Sequence, residues 1–554
     1  MKKITLFVLF ACNLSFGQLT DPDPNDNWAM SQVGANNLLS NPYDIVLASD
    51  GYLWITERTL GKISRFHPET GVRDQLIQIA SVSSTGQQDG LMGLVLHPDL
   101  GKGMGTDYVY AAYTYNNSGR KLRISRFTYT KIGDDGTLAN ELTLIEGIPA
   151  SYDHNSGRLA FGPDAKLYYT IGDQGNNQFD NKCTPIGSQI LPTSTSDYSK
   201  YPGKILRLNL DGTIPTDNPT LFGIKSHVYS YGHRNAQGLV FGSNGKLYAS
   251  EHGPKSDDEL NIIESGKNYG WPNVVGFIDD KAYTYCNWSS ASNCSSLSFS
   301  DNSCPSGATS TLESSWAVPV NYKNPVAAWG TVLSSYDFTA GCGYICWPSI
   351  APSGIDIYEG TQIPNWGTSI LVTTLKRGRI YRCSIASDGN SVLPIADPEP
   401  DGTNDDFEEL WYTQNRYRDI VAAPDGKTFY IITDSSGSTS GPSNNNSIAI
   451  QNPGIIIKVK YIGTTLSTNS FVSESSIDIV PNPAKNKFKL HSQDTNLEIG
   501  LVEVLDINNK VIITEKNPKQ EHDIIVESLS SGIYWVRITD KKGNTMVKKL
   551  VVSN

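Results

Sequence analysis

Apolar and polar positions follow the same short pattern at four places along the chain. Each copy has an apolar segment, a polar turn with Asp or Asn, and an alternating segment rich in aromatic residues; the copies lie at 44–57, 158–170, 238–251 and 419–432. Alternation with a period of two around such a turn predicts two antiparallel strands joined as a β-hairpin. The segment Ile370–Arg382 has a similar pattern and predicts another pair of strands.

Repetition of one hairpin unit is typical of a β-propeller, in which each blade is a small antiparallel sheet. The sequence therefore predicts an all-β fold, with a six-bladed β-propeller over residues 28–462. The spacing between copies is irregular because long loops, at 176–201 and 281–316, interrupt the blades.

The propeller pattern ends near Val459, and the Ser/Thr-rich residues 463–475 predict a linker. Residues 476–554 predict a small C-terminal domain that is β-sandwich-like. Three segments stand out in it: Pro481–Pro483, Leu529–Tyr534 and Lys548–Val552. Together they resemble the C-terminal sorting domain of the Bacteroidetes type nine secretion system, which implies recognition by outer-membrane secretion machinery. The alternative is a small β-sandwich that binds sugar or protein.

The first 17 residues have the parts of a bacterial signal peptide. Lys2 and Lys3 supply a positive start, Ile4–Ala11 is a short apolar run, and Gly17 is a small residue at the expected cleavage point. Cys12 raises the alternative of a lipoprotein, although the bulky residue two positions earlier fits that poorly. We expect a secreted or cell-surface protein.

Composition supports an extracellular all-β protein and argues against one class of partner. Charged residues make up only 18%, whereas Gly numbers 49 and Tyr 28. The formal net charge is −11, and no basic stripe of the kind that neutralises phosphates is present in the sequence. Nucleic acid is therefore not expected as a partner.

The eight cysteines become seven if Cys12 leaves with the signal peptide, so at least one stays unpaired within the chain. Cys342 and Cys346 are close enough to pair across a tight loop. Three more lie in one Ser/Asn-rich insertion: Cys286, Cys294 and Cys304. We expect two of these to pair; zinc is the alternative, but CxxC spacing and a nearby His are missing.

Polar loops at the strand ends supply candidate chemistry. His154 precedes one predicted strand and Asp173 ends its partner, so a carboxylate could fix the imidazole tautomer. Arg234 and Asn235 precede another strand. Taken singly, these residues are equally compatible with a polar surface or an inter-blade salt bridge.

Two further groups indicate a cation and an anionic ligand. The carbonyls of Gly253 and Pro254 are followed by acids at 257–259, a combination that suits calcium. Taken alone, the segment is equally compatible with a simple acidic turn. Basic loops contain Lys376, Arg416 and Arg418; converging Lys and Arg suit a ligand with several carboxylates, whereas a solvated face is the alternative for each loop taken singly.

In their order along the chain, these segments resemble the glucose/sorbosone dehydrogenase family of soluble pyrroloquinoline quinone (PQQ) enzymes. The resemblance covers roughly residues 40 to 460. The shared segments are Gln88–Gly90, Asp153–Asp164, Tyr168–Gly175, Gly203–Gly212, Gly232–Leu239, Ser256–Val274, Tyr344–Ser353, Leu375–Gly378 and Asn415–Asp419.

The resemblance implies a role for each candidate. His154 would be the general base for the anomeric hydroxyl, Asp173 would orient it, and Arg234 would neutralise charge on the reduced cofactor. The implied PQQ-binding residues are Gln88, Asp153, Arg234, Asn235, Lys376, Arg416 and Arg418. The implied calcium ligands are the carbonyls of Gly253 and Pro254, with further calcium around Glu259, Tyr269 and Asp279. The implied sugar contacts are Gln88, Tyr344 and Trp347.

The implied activity is oxidation of an aldose to a lactone by hydride transfer to PQQ, with later reoxidation by an external electron acceptor. In this family, the contacts between the two subunits of the dimer lie near the position of the cysteine-rich insertion. The sequence therefore leaves open whether the protein is a homodimer and which sugar it prefers. A non-catalytic sugar- or protein-binding propeller is one alternative. A propeller glycoside hydrolase is another, although only the loose match at Ser49–Trp54 suggests its repeated box.

Overall fold

A computed structural model describes residues 27–341, 343–396, 404–435, 450–463, 477–492, 498–506, 510–519, 521–541 and 545–553. The predicted signal peptide, nearly all of the predicted linker and Cys342 lie outside these residues. The helices of the described residues are single 3₁₀ turns at Phe179–Asn181, Tyr198–Lys200, Trp288–Ser290, Cys294–Ser296, Glu313–Ser315 and Gly343–Ile345. The remaining regular structure is β, which confirms the predicted all-β class. No helix in the described ranges is long and apolar enough to span a membrane.

The larger unit, Trp28–Tyr461, contains six antiparallel sheets of four or five strands. β1 (Trp28–Val33) belongs to the sixth. The first sheet is β2 (Pro42–Leu47), β3 (Leu53–Glu57), β4 (Lys62–Phe66) and β5 (Arg73–Gln78). The second is β6 (Leu91–Leu96), β7 (Tyr108–Asn116), β8 (Arg120–Ile132) and β9 (Asp135–Pro149). The third is β10 (Leu159–Phe161), β11 (Leu167–Ile171), β12 (Lys204–Leu208) and, after the short hairpin β13 (Thr220–Leu221) and β14 (Ile224–Lys225), β15 (Val228–Tyr231).

The other three sheets follow the same order. The fourth is β16 (Ala236–Phe241), β17 (Leu247–Glu251), β18 (Asp258–Ile263) and, after the hairpin β19 (Tyr285–Asn287) and β20 (Thr309–Thr311), β21 (Ala327–Trp329). The fifth is β22 (Pro352–Tyr358), β23 (Ser369–Thr374), β24 (Ile380–Ile385) and β25 (Val392–Leu393); after the hairpin β26 (Ile395–Ala396) and β27 (Asn404–Asp405), β28 (Glu408–Leu410) also pairs with β24. The sixth is β29 (Tyr417–Ala422), β30 (Thr428–Thr433), β31 (Ile456–Tyr461) and β1.

The first strands of successive sheets contact one another. β6 contacts β2 and β10, β16 contacts β10 and β22, and β29 contacts β22 and β2. Apolar side chains fill the space between adjacent sheets: one cluster contains Trp54 of the first sheet and Tyr113 of the second, and another contains Leu371 of the fifth and Phe429 of the sixth. Burial of these faces is the main stabilising term.

The predicted hairpins are confirmed, because β2–β3, β10–β11, β16–β17, β29–β30 and β23–β24 are all antiparallel pairs. Three of the four repeated turns place Gly at a positive φ: Gly51 (+84°), Gly245 (+77°) and Gly426 (+64°). In the third sheet this position is Ala165, at φ +56°. An L-residue with a Cβ is unfavourable in that conformation, whereas Gly adopts it freely.

We therefore expect Ala165→Gly to stabilise the larger unit by about 0.5–1 kcal/mol, after allowing for the extra freedom of Gly in the unfolded chain. The urea midpoint measures the effect. The matched variant Gly245→Ala should shift the midpoint in the opposite direction. A lower midpoint for Ala165→Gly would show that the turn is not strained.

A buried ion cluster joins the first strands of several sheets. Arg158, just before β10, places Nη1 2.7 Å from an oxygen of Asp44 in β2 and 2.7 Å from an oxygen of Asp419 in β29. Its Nε also donates to the carbonyl of Gln237 in β16 at 2.9 Å. One buried guanidinium thus connects four of the six sheets.

The cysteines pair partly as expected. Cys286 bonds to Cys304 within the insertion, which confirms that two of its three cysteines pair. The third, Cys294, instead bonds to Cys183, 111 residues earlier. Cys346 is disulfide-bonded, and its predicted partner lies outside the described residues. Cys383 is free and buried, in agreement with the expected unpaired cysteine.

The main segment of the smaller unit begins at Ile462. Its strands are β32 (Ile477–Val480), β33 (Lys487–Ser492), β34 (Ile499–Leu505), β35 (Val511–Lys516), β36 (Ile524–Ile525), β37 (Gly532–Asp540) and β38 (Thr545–Val552). They form two sheets, of order β32-β33-β36 and β35-β34-β37-β38. Inward-facing residues of both sheets, including Phe488 and Val536, share one apolar core.

Candidate active site

His154 and Asp173 meet because they lie at the ends of the β10–β11 hairpin. The His154 Nδ1 is 2.7 Å from an oxygen of Asp173, and both side chains are buried. The same carboxylate accepts the backbone N–H of Gly175 at 2.9 Å and the indole N–H of Trp271 at 2.8 Å. Since Asp173 accepts hydrogen bonds from fixed donors, it holds the His154 proton on Nδ1 and leaves a lone pair on Nε2.

An Asp153 oxygen lies 3.8 Å from the Nε2 of His154, and the side chain of Gln178 flanks the same Nε2. The amide nitrogen of Gln178 lies 3.4 Å from it and donates to Asp153 at 3.0 Å. The other oxygen of Asp153 accepts from the Gln88 amide at 2.5 Å. The structure thus brings together the predicted residues His154, Asp153 and Gln88, and adds Gln178.

Asn235 and Arg234 reach this group from the loop before β16. The Asn235 amide donates to the Gln88 side-chain oxygen at 3.2 Å. The Arg234 guanidinium lies 5.4 Å from the Trp271 ring and donates to the carbonyl of His252 at 3.3 Å. Trp271 therefore contacts both the carboxylate that orients His154 and the predicted charge-neutralising arginine.

A second, basic group lies next to the first. Arg416 and Arg418 both donate to Asp434, at 3.0 and 2.6 Å. Burial alone would raise the pKa of Asp434, but the charges of Arg418, Arg416 and Arg58 outweigh it and lower the pKa to about 2. Burial lowers the pKa of Arg416 to about 10, since its charge is costly to desolvate.

The basic group is connected to the His154 group through two glutamines. Arg418 donates to the side-chain oxygen of Gln237 at 3.0 Å, and the Gln237 amide donates to Gln88 at 3.3 Å. One hydrogen-bonded network thus runs from buried cations to the imidazole. Sequence reasoning had not included Gln237, Asp434 or Arg58 in the site.

Lys376 lies with the predicted aromatic wall. Its ammonium donates to the carbonyl of Trp347 at 2.7 Å, and the Trp347 indole donates to the carbonyl of Phe338 at 2.9 Å. Burial, with a further contribution from the charge of Arg377, lowers the pKa of Lys376 to about 7. Tyr344 is 47% exposed, so its ring is available at the surface.

The predicted calcium residues occupy two different settings. The buried carboxylate of Asp258 holds the loop in place, because it accepts the backbone N–H groups of Gly253 at 2.8 Å and Ile350 at 2.6 Å. Within the described residues, no donor is hydrogen-bonded to the carbonyl oxygens of Gly253 or Pro254.

Glu259, Tyr269 and Asp279 each bond to other groups. Glu259 accepts the backbone N–H of Gly276 at 2.7 Å, the Tyr269 hydroxyl donates to the carbonyl of Ile262 at 2.6 Å, and Asp279 accepts from the Lys281 backbone at 2.9 Å. No set of three or more His, Cys, Asp or Glu side chains is arranged as a metal site in the parts of the chain that are described.

Comparison with known proteins finds two family models that match different parts of the chain. The glucose/sorbosone dehydrogenase family model matches residues 39–306 and 324–440, and the secretion system C-terminal sorting domain model matches residues 478–553. Quinoprotein glucose dehydrogenase B of Acinetobacter calcoaceticus is 41% identical over 443 residues, covering 76% of this chain and 89% of that protein.

Two further relatives are more distant. Aldose sugar dehydrogenase YliI of Escherichia coli K12 is 24% identical over 405 residues, covering 72% of this chain and 89% of that protein. The solved PQQ-bound aldose sugar dehydrogenase of Streptomyces coelicolor is 25% identical, with a TM-score of 0.52, and covers 78% of this chain and 98% of that chain. The chain therefore belongs to the glucose/sorbosone dehydrogenase family and ends in a secretion-system sorting domain.

Proposed function

We propose that this protein is a secreted quinoprotein that oxidises the anomeric carbon of glucose-like aldoses to lactones, with PQQ and calcium as cofactors. The observation that carries the proposal is the His154 imidazole, whose Nδ1 is fixed by Asp173 and whose Nε2 faces Gln178 and Asp153. The name of the 41% identical relative, a quinoprotein glucose dehydrogenase, supports the choice of sugar and cofactor.

The residues present fit a ligand with several carboxylates. Arg58, Arg416 and Arg418 are buried around one acid, Asp434. The Arg418 Nε is buried without a partner among the described residues. Buried cations in excess of their acids are stabilised by an anionic ligand, and guanidinium pairs with carboxylates in bidentate geometry. PQQ is a tricarboxylate, so Lys376, Arg416 and Arg418 would hold it there, together with Gln88, Asp153, Arg234 and Asn235.

The Gly253 and Pro254 carbonyls fit calcium, which prefers oxygen ligands. Burial, with the charge of Arg234, holds the pKa of the adjacent His252 well below its usual range, so that side chain adds no positive charge. We also propose Glu259, Tyr269 and Asp279 as participants in further calcium binding. When bound, PQQ supplies a two-electron acceptor and calcium a Lewis acid.

The chain's own residues account for proton removal and orientation. The Nε2 of His154 accepts the proton of the anomeric hydroxyl, and Asp173 stabilises the imidazolium that results. Gln88, Gln178 and Asp153 offer hydrogen bonds to the sugar hydroxyls, while Tyr344 and Trp347 offer an apolar wall. The positive charge of Arg234 stabilises the negative charge that develops beside it. Loss of the hydroxyl proton and of the anomeric hydrogen converts the hemiacetal to a lactone.

The test is reconstitution of the purified protein with PQQ and calcium, followed by assay of dye reduction with a panel of aldoses. The dye serves as the external electron acceptor that the proposal requires. Turnover that depends on both cofactors supports the proposal. PQQ or sugar binding without turnover on any aldose would instead indicate a non-catalytic propeller.

PQQ affinity should depend on pH because of Lys376. Its pKa of about 7 means that the ammonium is charged below pH 7, where the PQQ Kd should be constant. Above pH 7, binding must take up a proton, so the Kd should rise by up to about tenfold per pH unit. Calorimetric titration at fixed calcium measures this. Lys376→Met should bind more weakly and lose most of the slope; an unchanged slope would assign the proton to another group.

We further propose that the six sheets are the blades of one propeller over residues 28–462, that 1–17 is a cleaved signal peptide, 463–475 a linker and 476–554 the sorting domain. The ring of contacts between first strands supports the propeller, and two disulfides fit an oxidising compartment. We also propose that two copies of the protein form a homodimer through contacts near the cysteine-rich insertion. The molecular mass of the protein in solution tests this.

Deletion of residues 463–554 should leave the larger unit active but prevent its export. The measurement is enzyme activity in culture medium and at the cell surface, compared with activity inside the cells of a type nine-secreting host. Deletion of only 553–554 serves as the control. Undiminished export without residues 463–554 would refute the sorting function.

A further inference from the structure

Two segments outside the repeat pattern meet beside His154, and a disulfide joins them. One is the Gln178 loop, residues 176–184, which lies between β11 and β12. The other is the insertion, residues 281–316, which lies between β18 and β21. Cys183 of the loop bonds to Cys294 of the insertion. Hairpin geometry does not hold the Gln178 loop, since its only regular structure is one 3₁₀ turn.

The insertion holds the loop on both sides of Gln178. The Asn177 amide donates to the carbonyl of Cys286 at 2.8 Å, and its side-chain oxygen accepts from the backbone of Ser289 at 3.4 Å. The Phe179 ring lies 5.0 Å from the ring of Phe299. Contacts at positions 177 and 179 therefore fix the backbone of the residue between them.

The insertion also contacts Lys255, the residue that follows Pro254. The carbonyl of Asp301 accepts from the Lys255 ammonium at 2.8 Å, and this ammonium lies 4.2 Å from the ring centre of Phe338. Phe299 and Asp301 are two residues apart, a span of at most about 7 Å of chain. One short segment therefore touches both the Gln178 loop and the loop that follows Pro254.

We propose that the insertion is a covalently attached brace that positions the Gln178 amide against His154 and Asp153 and so sets the affinity for the sugar. Gln178 contacts the sugar in this proposal, and the Cys183–Cys294 bond positions Gln178. A long amide side chain on an irregular loop has many conformations, and restricting them beforehand lowers the cost of binding. The inference rests on the proposed aldose oxidation.

A double-mutant cycle on the full chain tests the brace. We expect Gln178→Ala to raise the KM for glucose about tenfold, with a smaller change in kcat and unchanged PQQ affinity, as for loss of one or two hydrogen bonds. Cys183→Ser with Cys294→Ser should raise KM similarly, and the triple variant should be no worse than either. Ser296→Ala, an exposed change inside the insertion, is the matched control and should match wild type.

Amide hydrogen exchange of the cofactor-free protein gives a readout independent of turnover. Residues 176–184 should exchange faster in the double cysteine variant, while β11 and β12 keep their protection. Unchanged exchange in the loop, or KM increases that multiply in the triple variant, would overturn the proposal. If wild type oxidises no aldose, the proposed function and the sugar-affinity role both fail, and the exchange result decides only whether the brace orders the loop.

Discussion

His154→Gln should lower kcat by about a thousandfold while PQQ still binds, because glutamine keeps hydrogen-bonding capacity but cannot accept the hydroxyl proton at neutral pH. The His154 imidazole lies beside Asp153 and Gln178, and the Asp173 carboxylate fixes its orientation. Stopped-flow measurement of sugar-dependent reduction of the cofactor separates this step from reoxidation by the dye.

Asp173→Asn provides the matched control for that result. It keeps the shape of the side chain but removes the charge that orients Nδ1, so kcat should fall by about a hundredfold. Its PQQ affinity should equal that of wild type. If His154→Gln retained wild-type turnover, another group would be the base and the assignment would be wrong.

Arg158→Met should destabilise the larger unit by about 3–5 kcal/mol, because it leaves the buried carboxyls of Asp44 and Asp419 without the guanidinium that binds both. The side chain of each of the three is at most 5% exposed. Thermal and urea unfolding of the cofactor-free protein measure the loss. We expect it to be accompanied by weaker PQQ binding, since Arg418 lies on β29 and Asn235 directly precedes β16.

Lys323→Met is the comparison for Arg158→Met, because Lys323 forms a partly exposed ion pair with Glu264. Such pairs contribute only about 0–1 kcal/mol. Adding Asp44→Asn and Asp419→Asn to Arg158→Met should recover part of the lost stability, because neutral amides replace the two buried carboxyls. Equal losses for Arg158→Met and Lys323→Met would show that the cluster does not join the sheets.

The local pattern of apolar and polar residues is sufficient to predict the hairpins. It is therefore also sufficient to predict that His154 and Asp173 lie close together. Both residues lie at the end of one antiparallel pair, so a period of two and a turn signal were enough to place them together. The same reasoning holds at Ala165, where the hairpin forms although the residue at the positive φ is not Gly.

The rest of the site depends on contacts between distant segments, which periodicity cannot reveal. Trp271 reaches Asp173 from 98 residues away in sequence, and Cys294 pairs with Cys183 from 111. Gln178 lies on an irregular loop with no repeat to mark it. A signal did exist for Gln178, since it lies five residues after Asp173 in a segment already singled out, but local pattern gave no reason to prefer it to its neighbours.

The central claim is that His154 removes the proton of an anomeric hydroxyl as the bound quinone is reduced. The most direct measurement is anaerobic mixing of PQQ- and calcium-loaded protein with glucose, glucose deuterated at the anomeric carbon, and methyl glucoside. We predict full loss of the oxidised-quinone absorbance with glucose, a slower loss with the deuterated sugar, and none with methyl glucoside, whose anomeric hydroxyl is blocked. No absorbance change with glucose, or equal rates with glucose and methyl glucoside, would contradict the account.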